Sequence, residues 1–335
     1  MKKLDRKGRV YPVRVLESGW MVAVSEREND SSRILLVSPR GRTRRWIKTP
    51  FEKIDYIACS DNGEKAILYT QKNLEFVYVD LKRRKCTGIF KLENGKTGFA
   101  LYGDKRSWLS FNGDELYARG YYYNNEGLFT VDNIVRIHPE NIGIKVFEPV
   151  VEIPQLIEGA KQFYPTATDI ENINTSGKYL FYTAGDKSGG VFFALDLKGF
   201  LIHRIDSFRS FHGNAHHPGK NLLAYAAKRT SDPTETGELI LYDLNTRKML
   251  NTWNGRYFHP VFDTKSDKIA VGLTVPILEG RYITHIPIYS VSQSSKYEKT
   301  EDFLPRYNPI DWIFVDNGKY LFLVTGKEIY KHKLK

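Results

Sequence analysis

Short apolar runs separated by polar turns dominate this chain, and one pairing of the two keeps returning. A turn carrying Gly (once Asp) among polar neighbours leads straight into an apolar strand. The copies are Glu17-Ser18-Gly19-Trp20-Met21-Val22, Asp61-Asn62-Gly63-Glu64-Lys65-Ala66-Ile67 and Asn112-Gly113-Asp114-Glu115-Leu116-Tyr117. Four more follow: Ser176-Gly177-Lys178-Tyr179-Leu180-Phe181, Pro218-Gly219-Lys220-Asn221-Leu222-Leu223, Ser266-Asp267-Lys268-Ile269-Ala270-Val271 and Asn317-Gly318-Lys319-Tyr320-Leu321-Phe322. From one turn residue to the next the steps are 44, 50, 64, 42, 48 and 51 residues. Each repeat also holds a second hydrophobic strand that ends in a polar residue before a tight turn. Phe76-Val77-Tyr78-Val79-Asp80 and Leu239-Ile240-Leu241-Tyr242-Asp243 are typical.

Self-similarity at roughly 40–50 residues, built from strands, predicts an all-β fold, a β-propeller. The two hallmarks imply four-stranded antiparallel blades: an inner strand A, the Gly turn, strand B, strand C with its polar stop, then strand D. Seven copies spanning the chain predict seven blades in one domain over residues 1–335. The seventh copy reaches only strand C, so the segment from Lys2 to Arg9 is expected to supply its fourth strand and close the ring. Aromatic content of 13% suits such strands. The longest step holds an insertion around Pro149–Asn172. There Ile153-Pro154-Gln155-Leu156-Ile157 and Tyr164-Pro165-Thr166 break any regular pattern and predict a long inter-blade loop.

This grammar resembles the WD-repeat-like propellers, specifically the TolB-type branch with its Pro-Asp-Gly-Lys turns. The chain departs from true WD repeats, since no strand C ends in Trp-Asp and no Gly-His pair opens a blade. The resemblance implies the fold and a habit of binding partners on the flat faces, and no specific activity.

No run of about 18 apolar residues exists, so no membrane-spanning segment is expected. The opening Met1-Lys2-Lys3-Leu4-Asp5-Arg6-Lys7 lacks an apolar core of the signal-peptide kind, which predicts a cytoplasmic protein, expected to be monomeric. Cys59 falls on an inner strand and Cys86 on the outer strand of the same blade. Four strands at sheet spacing separate them by roughly 14 Å, beyond disulfide reach.

Candidate chemistry collects where the chain enters the inner strands, around one mouth of the channel. Aligning the copies on the turn residue brings Asp55, Lys105, Arg106, Asp169, His212, His259 and Asp311 to one level of the ring. Convergent polar groups in a concavity make a candidate ligand site. Histidines concentrate there too, and His212, His216, His217 and His259 with a nearby carboxylate form a candidate divalent-metal set. That placement resembles the oligogalacturonate lyases, seven-bladed propellers that bind a divalent metal through histidines on one face. The resemblance implies, as an alternative function, a metal-dependent lyase or hydrolase on an acidic saccharide, with Lys105 or Arg106 engaging its carboxylate. No nucleophile elbow, P-loop or H-E-x-x-H motif is present. Gly185-Asp186-Lys187-Ser188-Gly189-Gly190 is read as a B–C hairpin turn rather than a phosphate loop.

Charge adds a second candidate surface. Residues 1–90 carry 20 Lys+Arg against 11 Asp+Glu, most of the chain's net +11. The clusters are Arg40, Arg42, Arg44, Arg45 and Lys48, then Lys82, Arg83, Arg84 and Lys85, with Lys331, Lys333 and Lys335 far along the chain. On a propeller these converge into one basic sector on the outer rim, suited to a polyanion, nucleic acid among them. Trp46 and Tyr11 lie nearby as stacking candidates. The leading expectation is therefore a non-enzymatic binding or scaffold propeller for a protein or polyanion, using mouth and rim.

Overall fold

The computed structural model describes residues 2–3, 8–16, 20–27, 31–39, 43–60, 63–70, 72, 75–91, 98–101, 109–112, 115–123, 129–137, 147–229, 236–263, 265–277, 281–292, 296–305, 309, 311–325 and 328–334. The described strands form seven antiparallel sheets, and in each the strands pair largely in sequence order. The inner strands are Gly8–Val15, Tyr56–Cys59, the pair Gly98–Leu101 with Leu109–Asn112, Asp169–Ser176, Ser210–His217, Arg256–Asp263 and Asp311–Val315. Each lies against the inner strand of the next sheet, and Asp311–Val315 returns to Gly8–Val15. The sheets therefore ring a common axis, as blades of a β-propeller. The seventh sheet is completed by the N-terminal pair Lys2–Lys3, which matches Ile329 and Glu328 in register. The closure expected from the sequence is there but shorter, since Gly8 and Arg9 belong to the inner strand of the first blade.

Strand alternation explains why the apolar runs are nearly continuous. In Leu222–Lys228, Leu222, Ala224 and Ala226 pack toward the sixth blade, whereas Leu223, Tyr225 and Ala227 pack toward the fourth. Both faces of the blade are covered, so both sets of alternating positions must be apolar. The core is accordingly a series of layers between blades, rather than one central cluster.

The recurring turn glycine has two physical reasons. Gly63 and Gly318 adopt φ of 72° and 73°, where a side chain is strained. The neighbouring blade also presses on them: a Cβ at Gly63 would lie 2.8 Å from Leu16 Cβ, and one at Gly318 would collide with Asp263 Oδ2. A second tie repeats beside this turn. The residue after the polar stop donates its backbone N–H to a turn carbonyl: Leu81 to Glu64 at 2.9 Å, Leu244 to Asn221 at 3.0 Å, Val291 to Asp267 at 2.9 Å and Leu334 to Lys319 at 3.0 Å. The A–B and C–D turns thus share one face of the ring. The starts of the inner strands and the B–C hairpins occupy the other, the mouth face.

The expectation of a structureless insertion is corrected. Ile153–Lys161 forms an α-helix, with Pro154 in its first turn, where a missing N–H costs nothing. Ile153, Leu156 and Ala160 recur at helical spacing and pack into the core between the blades. The Gly185–Gly190 string is the expected hairpin, with Asp186 paired to Gly189. Ser188 closes the turn by donating its backbone N–H to Asp186 at 2.6 Å. Cys59 and Cys86 are free thiols; burial pushes Cys59 up to about 12, so it is not a nucleophile at neutral pH.

Candidate functional site

Inner strands at the mouth do not run straight. In the fourth, fifth and sixth blades the register slips between Glu171 and Asn174, Phe211 and Asn214, and Phe258 and Val261. Each slip is a β-bulge, which re-aims the side chains within it. The bulges of the fifth and sixth blades carry His212 and His259, each after a Phe. His259 takes a left-handed φ of 49°. Gly213 abuts it: a Cβ there would stand 3.7 Å from the His259 backbone nitrogen. The two histidine bulges therefore adjoin.

His259 Nε2 lies 2.7 Å from Asp311 Oδ1 across the boundary between the sixth and seventh blades. The Asp311 side chain is 9% exposed and the His259 side chain 43%. Asp311 Oδ1 also accepts the Trp312 backbone N–H at 2.8 Å, and the Trp312 ring meets His259 edge-on at 4.9 Å. A carboxylate so held fixes the imidazole's orientation and leaves its other nitrogen, Nδ1, for a ligand. On the fifth blade, Ser210 Oγ is 3.1 Å from His212 Nε2, and partial burial lowers the pKa of His212.

The other mouth candidates are dispersed. Asp169 sits farther out, paired with Gly185 beside the hairpin, because two residues separate Ser176 from Tyr179 in the fourth blade's turn, whereas four separate His217 from Leu222 and Asp263 from Lys268. It meets the buried Arg119 from the third blade at 3.2 Å, and Arg119 also donates to the Ile170 carbonyl at 2.7 Å. Sequence reasoning missed Arg119; its signal was a single cation inside the run Leu116–Tyr123. Asp55 is buried and holds Lys53 at 2.8 Å. Lys105 and Arg106 lie outside the described residues.

His216 and His217 diverge, as consecutive strand residues must. His216 packs against Tyr179 and Phe181 of the fourth blade, and His217 against Phe262 of the sixth. Among the described residues, no group of three or more His, Cys, Asp or Glu side chains is placed to hold a metal ion.

Two contacts link basic segments of different blades. The outer strand Arg44–Lys48 of the first blade runs beside Lys85–Lys91 of the second, where Cys86 Sγ donates to the Lys48 carbonyl at 3.4 Å. From the seventh blade, Lys331 Nζ donates to the Pro39 carbonyl at 3.3 Å. Arg45, Lys48, Lys82, Arg83, Arg84 and Lys85 are exposed. Asp80 Oδ2 stands 3.7 Å from Arg83 Nε, and Glu64 stands 4.0 Å from Lys82. Exposed ion pairs of this kind offset little of the cationic field. Arg40 and Arg42 lie outside the described residues. The basic turns and the mouth occupy opposite faces.

Among the described residues, no helix is long and apolar enough to cross a membrane. No family model and no curated protein matches this sequence. Solved structures do match. One is hydrazine synthase of Kuenenia stuttgartiensis, at 12% identity and a TM-score of 0.64, covering 99% of this chain and 97% of that one. An oligogalacturonate lyase from Vibrio parahaemolyticus is similar at 10% identity and 0.62, covering 98% and 90%. A chain of the mitotic checkpoint complex is similar at 13% identity and 0.58, covering 100% and 95%. Likeness at such identities, end to end, establishes that this chain is a β-propeller.

Proposed function

We propose that the protein is a non-enzymatic binding propeller that engages a polyanionic partner through the basic sector of its seventh, first and second blades. One observation carries this reading: cationic runs separated by most of the chain meet on one stretch of rim, joined by the Lys331–Pro39 contact. Such a patch attracts polyanions by releasing condensed counterions and by steering. The mouth, on the opposite face, is a separate surface for a protein or small ligand. Similarity to a chain of the mitotic checkpoint complex is compatible with a role in assembly.

The triple variant Arg44→Glu/Lys82→Glu/Arg84→Glu is expected to bind heparin at least tenfold more weakly than wild type at low salt. Its dependence on salt should also be shallower, because fewer counterions are released. Equal binding by wild type and variant would remove the basis of the proposal.

A second reading, a lyase or hydrolase acting on an acidic saccharide at the mouth, rests on the His259–Asp311 pair adjoining His212, although no three metal-ligating side chains come together there among the described residues. Stoichiometric divalent metal in purified protein would favour it over the binding module.

A further inference from the structure

The basic rim is not uniform, and strand alternation shows where Trp46, its one exposed aromatic among the described residues, points. In the first blade, Leu35 and Val37 pack toward the seventh blade, whereas Ile34 and Leu36 pack toward the second. The outer strand pairs Arg44 with Val37, Trp46 with Leu35 and Lys48 with Arg33. Arg44, Trp46 and Lys48 therefore share the face turned toward the seventh blade. Arg45 is on the other face, where its guanidinium covers Trp20 at 4.8 Å.

The facing wall follows the same rule. Lys331 pairs with Phe322 and Lys333 with Tyr320, and both partners pack toward the first blade. Tyr330 and His332 point the other way, to the sixth blade, where His332 meets Glu301 at 2.7 Å. Lys331 and Lys333 thus face Arg44, Trp46 and Lys48 across the outer cleft between the seventh and first blades. Trp46 is 36% exposed, and Lys48, Lys331 and Lys333 are exposed.

We infer that this cleft takes a single-stranded nucleic acid, with a base stacked on Trp46 and backbone phosphates on the lysines and arginine around it. The inference rests on the polyanion reading and narrows it. Cations alone suit any polyanion, whereas a partly exposed indole between them supplies the π-face on which bases stack. A sulfated saccharide has no aromatic base to place there.

The test compares a labelled oligothymidylate with heparin, on wild type, Trp46→Ala and Trp46→Phe. Trp46→Ala should weaken oligothymidylate binding about tenfold, as expected for one lost base–aromatic stack, and leave heparin binding within twofold. Trp46→Phe should recover most of the loss, because a ring remains. Unchanged oligothymidylate binding by Trp46→Ala would overturn the inference and leave the polyanion reading standing. So would an equal loss for both ligands, which would mark a general disturbance of the rim. Wild type that binds neither ligand would overturn both.

Discussion

Truncating Trp312 to Ala is expected to cost the fold about 3–5 kcal/mol, the range for removing a buried aromatic ring from a packed layer. The side chain is 1% exposed and lies between the sixth and seventh blades with Ala270, Ile286, Ile288, Phe314, Leu321 and Leu323. Its indole occupies room that Gly272 leaves open: a Cβ on that glycine would stand 2.6 Å from Trp312 Cη2. Removing the ring opens a cavity that two rigid, hydrogen-bonded sheets cannot collapse to fill. It also takes away the surface against which His259 rests, so the His259–Asp311 pair should loosen. Among the described residues the Trp312 Nε1 has no hydrogen-bond partner, so Trp312→Phe removes that buried donor while keeping a ring. Denaturant unfolding should show Trp312→Ala with a much lower midpoint at unchanged slope, and Trp312→Phe between it and wild type. A Trp312→Ala loss below about 1 kcal/mol would contradict the packing described for this layer.

The repeat was legible because its causes are local. A left-handed turn that accepts only Gly or a small polar residue, and strands apolar on both faces, leave marks within a few residues of each other. Gly63 and Gly318 show this directly, since both φ and the neighbouring blade demand a missing side chain. Closure by Lys2–Lys3 was legible for a different reason, a shortage of strands in the last copy. The helix Ile153–Lys161 was not, because Pro154 reads as a breaker unless the helix start is known. The mouth was legible only in part. Counting back from the turn placed His212 and His259 together but misplaced Asp169, since the turn holds two residues in the fourth blade and four in the fifth and sixth, a difference that no count of apolar positions reveals. The Arg119–Asp169 contact joins residues 50 apart in sequence, and only assembled blades bring them together. The basic rim was visible as composition; which face each cation takes was not, because that depends on strand register.

Acidification should weaken the fold through His216, whose ring lies 5.6 Å from that of Tyr179 and 5.3 Å from that of Phe181. Both ring nitrogens are buried, and among the described residues no side chain hydrogen-bonds to either. Burial, with the neighbouring His217 adding to it, pushes the pKa from 6.5 down to about 4. The Ser176 backbone opposes this shift. The unfolded chain takes up this proton as pH falls through about 6.5, and the folded protein only near 4. Between those values the unfolded state binds more protons, so stability drops as pH is lowered, and the contribution is flat below the lower value. At pH 4.5 the loss due to this one imidazole amounts to about 2–3 kcal/mol. His217 is lowered by burial too, with Lys220 adding and Asp267 and Asp263 opposing, so it steepens the same limb. Denaturant midpoints for wild type and His216→Phe, followed from pH 7 to pH 4, isolate the first term. The variant keeps a ring against Tyr179 and Phe181 and has nothing to protonate, so its stability should fall less steeply across that window. Curves that stay parallel would mean that His216 is protonated in the folded protein as readily as in the unfolded chain, and that water reaches the space between these two blades.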